Sequence, residues 1–204
     1  MKNKTAEILK CRIIDYLLQI HPNIIIGNEI MFGQNRNVVD LLAILNNSII
    51  AIEIKSKDDN LIRLPLQIEE YSKVYDKIYV FCSPEKIKRI EDIIKSKTIG
   101  IYEISDNKIS MYKNTPINRN TLKEDMLASI PASYLRKVFH LNHHMDSDIT
   151  RQFLLAMSKQ KIHDALLNFY KEKISSSFIL YKNDRGKISL VDDLSILSKE
   201  SLII

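Results

Sequence analysis

Between about Thr5 and Ile20 the apolar positions follow a helical period: Leu9, Ile13, Leu17 and Ile20 share one side, and Arg12, Asp15 and Gln19 the opposite one. Pro22 is a stop signal. The pattern then turns extended. Ile24 to Met31 predicts a strand, and Val38 to Leu45 predicts a second, apolar on both faces as a strand buried inside a sheet must be. Asn46-Asn47 supplies a tight turn into a third strand, Ile49 to Lys55, so the second and third form a hairpin. A helix over about Ile62 to Tyr75 follows, with Asn60 as its cap and Pro65 in its first turn. Lys77 to Cys82 reads as a strand. Ser83-Pro84 opens a basic helix running to about Lys97. Thr98 to Glu103 and Lys108 to Tyr112 read as strands joined across Ser105-Asp106-Asn107.

That order predicts a layered α/β core with a central mixed sheet over residues 1–116. Residues 113–120, Lys-Asn-Thr-Pro-Ile-Asn-Arg-Asn, have the polar composition of a linker. Residues 117–204 read as mainly helical, with helices near 121–129, 131–140, 147–157 and 159–174. Thr121-Leu122-Lys123-Glu124 has capping-box spacing. Past Ser175 the only clear signal is a turn at Asn183-Asp184-Arg185-Gly186.

Composition narrows the function classes without choosing one. The 204 residues are 45% hydrophobic and 27% charged, ordinary globular values that exclude a disordered chain. The longest apolar runs, such as Leu41 to Leu45, have five residues, so no membrane span is expected. Lys10, Arg12 and Asp15 interrupt the N-terminal apolar positions, unlike a secretory signal. Two cysteines, Cys11 and Cys82, form no disulfide framework and sit in apolar contexts. A reduced, cytoplasmic protein is expected. A net charge of +5 tolerates nucleic acid as a partner without demanding it.

Charged residues on surfaces that should be apolar are more informative. Asp40 interrupts the face of Val38, Leu42 and Ile44, and an unpaired buried carboxylate costs several kcal/mol. In the next strand Glu53 and Lys55 share a face, since side chains at i and i+2 point the same way. If the two strands pair, Asp40 converges on the same patch. A divalent cation then keeps both carboxylates ionised, and oxygen ligands suit Mg²⁺ or Mn²⁺ better than Zn²⁺. Glu7 lies on the apolar flank of the first helix. Gln67 occupies a core position in the stripe Leu64, Gln67, Ile68, Tyr71, Val74, Tyr75. Taken singly, each has a bland reading as a rim residue or a solvated strand face.

Together, Val39-Asp40, then Glu53-Ile54-Lys55-Ser56, then Arg63-Leu64 and Gln67 through Tyr71, resemble the PD-(D/E)xK nuclease superfamily over residues 5–82. The likeness is to small bacterial and phage members with an E-I-K-S segment followed by an R-L-x-x-Q helix. Val39 replaces the signature's proline, which has no chemical part. The resemblance implies a restriction-endonuclease-like fold and a Mg²⁺- or Mn²⁺-dependent phosphodiesterase acting on DNA. Asp40, Glu53 and the Ile54 carbonyl would bind the metal, and Lys55 would orient or activate the attacking water. Glu7 would support the metal or its water, while Gln67 and Tyr71 would position the site or the DNA backbone. Arg36, Lys57 and Arg63 are further candidates to grip phosphates; the helix with Lys86, Lys88, Arg89, Lys95 and Lys97 reads more simply as a solvated face. A homo-oligomer or a larger complex stays open. The rival expectation is a catalytically silent module of the same fold that binds nucleic acid or protein. His140, His143 and His144 cluster, but no H-E-x-x-H glutamate or cysteine accompanies them.

Overall fold

The computed structural model describes residues 2–94, 98–106 and 108–198, with side chains from Ala6 onward. Helix α1 (Lys2–Ile20) leads into strands β1 (Ile25–Phe32), β2 (Asn37–Leu45) and β3 (Ser48–Lys55). Then come α2 (Leu64–Ser72), β4 (Lys77–Cys82), α3 (Ile87–Ile94), β5 (Ile99–Ile104) and β6 (Ile109–Lys113). The six strands form one mixed sheet in sequence order, with parallel β3–β4 and β4–β5 pairs and antiparallel pairs elsewhere. The α/β layering expected from the pattern is present.

Parity divides the core. One face of the sheet presents Ile50, Ile52, Ile54, Tyr79 and Phe81 to Cys11, Ile13, Ile14 and Leu17 of α1. The other presents Ile49, Ala51, Ile78, Val80 and Cys82, in one continuous cluster with Tyr71 and Tyr75 and with the C-terminal helices. Those helices are α4 (Lys123–Ala128), α5 (Ala132–Val138), α6 (Ser147–Leu154) and α7 (Lys159–Asp184) as far as Ile174; Phe178 and Tyr181 of α7, and α8 (Leu194–Leu197), pack on the α1 side instead. Gly27 lets α7 approach β1 closely, because a Cβ there would stand 2.9 Å from Ile174. By running along the edge strand β1, α7 covers backbone that would otherwise be a pairing edge.

The structure differs from the sequence reading in several places. Asn60 does not cap α2, which starts from Arg63 without a side-chain cap and ends at Ser72. Ser83 makes no side-chain cap for a 3₁₀ turn, Pro84–Lys86, that precedes α3. Helix α7 continues through Asp184, past the serine run and into the expected turn. Ser175 and Ser177 donate to Lys171 O and Ile174 O within the helix, while Phe178 and Tyr181 extend its buried stripe. Thr121 does not cap α4, which starts one residue later from Leu122 without a side-chain cap. The linker is pinned: Asn118 is buried, donates to Ser72 O and Tyr75 O, and takes the Asp76 carbonyl through its own N–H. Lys95, Lys97 and Asn107 lie outside the described residues. Among the described residues no helix is long and apolar enough to cross a membrane.

Candidate active site

Strands β2 and β3 part company where the charged residues begin. Their ladder runs from Leu45–Ser48 to Leu41–Ile52 and ends there. Beyond it, Val39 to Asn37 pair only with β1, and Glu53 to Lys55 pair only with β4. In an unbroken ladder Ile54 would bond to the backbone of Val39. Instead its N–H donates to Asp40 Oδ2 at 2.9 Å, so a side chain takes the place of the backbone acceptor. The N–H and C=O of an extended residue point to the same side, so the Ile54 carbonyl also faces the fork.

Glu53 stands on the other wall of this fork, 2% exposed. Its Oε1 accepts from Lys55 Nζ at 2.6 Å and from Gln67 Nε2 at 2.7 Å, and its Oε2 from the Tyr71 hydroxyl. Gln67 Oε1 in turn accepts from Lys55 Nζ at 2.9 Å. Helix α2 supplies Gln67 and Tyr71 from one face, four residues apart. A buried carboxylate, a buried ammonium, an amide and a phenol thus close into a network in which each orients the others. Burial, the Glu53 charge and the Glu53 hydrogen bond push the Tyr71 phenol far up, so it acts only as a donor.

Asp40 has no such set of donors. Desolvation, then the Glu53 charge, push its carboxyl up to about 6, against the Ile54 N–H and the charges of Lys10 and Lys55. An Asp40 carboxyl whose charge is disfavoured by burial and by the neighbouring Glu53, flanked by an inward backbone carbonyl, belongs to a hard-oxygen donor set that a divalent cation would relieve. Glu53 uses three of about four lone-pair positions, leaving capacity on Oε2. The residues therefore fit Mg²⁺ or Mn²⁺.

The structure brings Asp40, Glu53, Lys55, Gln67 and Tyr71 together and leaves Glu7 apart. Glu7 is half-exposed on α1, its charge felt at Cys11, and among the described residues no three His, Cys, Asp or Glu side chains group closely enough to hold a metal. Tyr71, expected to contact DNA as well, is 1% exposed, so its polar end serves Glu53. Arg36, Lys57 and Arg63 are exposed. Lys57 lines a cavity of 530 Å³ with Lys55, Ser56 and Arg12, whereas Arg36 lines a separate one of 460 Å³ with Arg151 and Gln152. Arg63 is the N-cap residue of α2. Burial pushes the Cys11 and Cys82 thiols up to about 11 and about 12, leaving both protonated packing groups.

Two site neighbours carry no sequence motif. Lys10 on α1 is 7% exposed and donates to Glu29 Oε1 at 2.7 Å. Glu29 lies opposite Asp40, between the paired residues Asn28–Leu41 and Ile30–Val39, and has a φ of 55°. The only available signal was a lysine breaking an apolar helix face.

The family model of bacteriophage P4 protein cII matches residues 1–198. The chain belongs to that family. Protein cII of Enterobacteria phage P4 is 24% identical over 177 residues, which is 78% of this chain and 64% of that protein, so the chain spans under two thirds of its curated relative. Among solved structures, a protein of unknown function from Silicibacter pomeroyi aligns over 85% of this chain and 90% of its own, at 13% identity and a TM-score of 0.42. In this member of the cII family, the β2–β3 fork brings the buried Glu53 and Lys55 together with Asp40.

Proposed function

We propose that this chain is a Mg²⁺- or Mn²⁺-dependent nuclease of restriction-endonuclease-like fold, hydrolysing DNA phosphodiester bonds at the β2–β3 fork. The observation that carries the reading is the parted ladder: Asp40 accepts the Ile54 N–H while Glu53 and Lys55 face it from the other strand. A purely structural sheet has little reason to end a ladder on two carboxylates, because Asp40, unlike the Lys55-paired Glu53, bears its desolvation with only the Ile54 N–H bonded to it.

Within this reading each residue has one task. Asp40, Glu53 and the Ile54 carbonyl hold the cation, which when bound would stabilise charge on the scissile phosphate and acidify water. Lys55, fixed by Glu53 and Gln67, places a positive charge where the leaving oxygen develops negative charge. Tyr71 and Gln67 keep Glu53 from rotating. Lys57 and Arg63 grip flanking phosphates, and Arg36 reaches the backbone further along. The core over residues 1–116 carries the chemistry, and the helical region 117–204 shapes the substrate groove.

The test is incubation of purified protein with supercoiled, linear and single-stranded DNA, with Mn²⁺ and with chelator. Metal-dependent cleavage is expected, reduced by about a hundredfold or more in Asp40→Ala and Lys55→Ala. Retention of DNA without cleavage would support the silent binding module instead, and wild-type rates in both variants would remove this site from the chemistry.

A further inference from the structure

Between helix α1 and the end of the sheet that carries Lys55 lies a cavity of 530 Å³, to which the chemistry assigned to the fork gives no task. Strands β3, β4 and β5 run parallel, and their carboxyl ends open onto it through Lys55 to Lys57, Ser83 to Glu85 and Ile104 to Asp106. Crevices outside the carboxyl ends of parallel strands are where open α/β sheets receive ligands. The walls are fixed in place. Arg12 Nη2 donates to Ser105 O at 2.6 Å and to Asp106 O at 3.0 Å, tying α1 to the loop after β5. The Ser105 N–H and hydroxyl both reach Lys108 O, at 2.9 and 3.1 Å, which closes that loop on itself. A preformed space of this size falls in the ~300–1,000 Å³ range of small-ligand sites.

The lining combines two characters. Ile8, Leu9, Pro84 and Ile104 make an aliphatic wall, and Ile8 on α1 keeps 46% of its surface exposed. Arg12 and Lys57 bring positive charge to the same space, while Lys55 belongs both to this wall and to the network with Glu53 and Gln67. The cavity is thus continuous with the fork. A phosphate passing there can use Lys57, but an aliphatic wall offers it nothing. The flat face of a base suits that wall, since unstacked bases are received between apolar or aromatic side chains. Glu85 and Asp106, which also line the cavity, disfavour a phosphate but can accept from an amino group on a base edge. A paired base hides its face in the stack and its Watson–Crick edge in the pair, so only an unpaired nucleotide presents both.

We propose that this cavity receives one unpaired nucleotide of the strand being cut, its base against Ile8, Leu9 and Ile104 and its flanking phosphate on Lys57. The proposal rests on the reading of the fork as the point of cleavage and adds the class of DNA that reaches it: single strands and unpaired ends, in preference to the interior of a duplex. Ile8 is a binding residue in this account, and Arg12 a positioning residue that holds the wall against the loop after β5.

Fluorescence anisotropy of the whole chain in chelator, with a labelled single strand of DNA and with the blunt duplex formed from it, tests this without any cleavage. The single strand should bind roughly five- to tenfold more tightly than the duplex. Ile8→Asn, at a half-exposed position, takes away the aliphatic contact and should erase that preference while duplex binding stays as in the wild type. Arg12→Gln, which frees the wall, should weaken single-strand binding several-fold. Thermal melts establish that each variant is folded; should Arg12→Gln fail to fold, Ile8→Asn decides. Equal affinity for both DNAs in the wild type, or a preference that survives in Ile8→Asn, overturns the proposal. Cleavage with Mn²⁺ then separates that outcome from the reading beneath it. The fork stands if cutting still depends on Asp40 and Lys55, whereas the absence of any metal-dependent cutting removes both.

Discussion

The hairpin of β2 and β3 has one closed end and one open end, built from the same two strands. At the closed end Leu42 faces Ala51 and Ile44 faces Ile49, all fully or nearly fully buried, and the backbone satisfies itself through the ladder. Asn46 and Asn47 close that end with φ of 49° and 61°, the left-handed pair that a two-residue turn requires. At the open end the ladder stops, the half-buried Asp40 carboxylate substitutes for a backbone acceptor, and the buried Glu53 and Lys55 crowd into the gap beside it. One end is optimised for stability. The other holds a carboxylate whose charge its surroundings disfavour, the feature on which the proposed cation site rests.

Substitutions at the two ends should therefore separate stability from chemistry. Leu42→Ala at the closed end should cost about 3 kcal/mol in urea unfolding, through lost burial and a cavity, while the folded fraction still cleaves DNA. At the open end the sign reverses. The folded, metal-free protein holds a proton on Asp40 up to about pH 6, which the unfolded chain releases near 3.8. Stability therefore falls as pH rises through that window, and the full cost stands above it. Asp40→Asn keeps an acceptor for the Ile54 N–H and removes the charge, so it should stabilise the metal-free protein by roughly 2 kcal/mol at pH 7.5 and by almost nothing below pH 4. Tyr71→Phe leaves the ring packed on Phe32 and Tyr75 but takes one donor from Glu53, a loss of about 1.5 kcal/mol in the same unfolding assay. Asn47→Gly, in the turn, should change stability by only a few tenths of a kcal/mol, since glycine adopts a φ of 61° freely.

Much of this contrast was legible in the sequence because it breaks a period. Asp40 and Glu53 stood out as charges on strands otherwise built for burial, and the hairpin turn followed from Asn46-Asn47. Gln67 and Tyr71 stood out by sharing a helix stripe, though not that both would close on Glu53. Other features depend on contacts between distant segments, to which local periodicity is blind. Asp15 reads as a solvated residue opposite the apolar side of its helix, yet it accepts from Arg185 and Ser189, far along the chain. Lys10 reads as a break in an apolar face until β1 brings Glu29 to it. The length of α7 escaped because serines favour caps and turns unless, as here, their hydroxyls bond back into the helix.

The most direct measurement is a pair of melting curves, wild type and Asp40→Asn, each with chelator and with saturating Mn²⁺ at pH 7.5. The variant should melt higher in chelator, and the order should invert with Mn²⁺, because about a hundredfold excess over the dissociation constant adds roughly 2.7 kcal/mol to the protein that binds it. Curves that keep the same order in both conditions, with the wild type indifferent to Mn²⁺, would contradict the fork as a cation site.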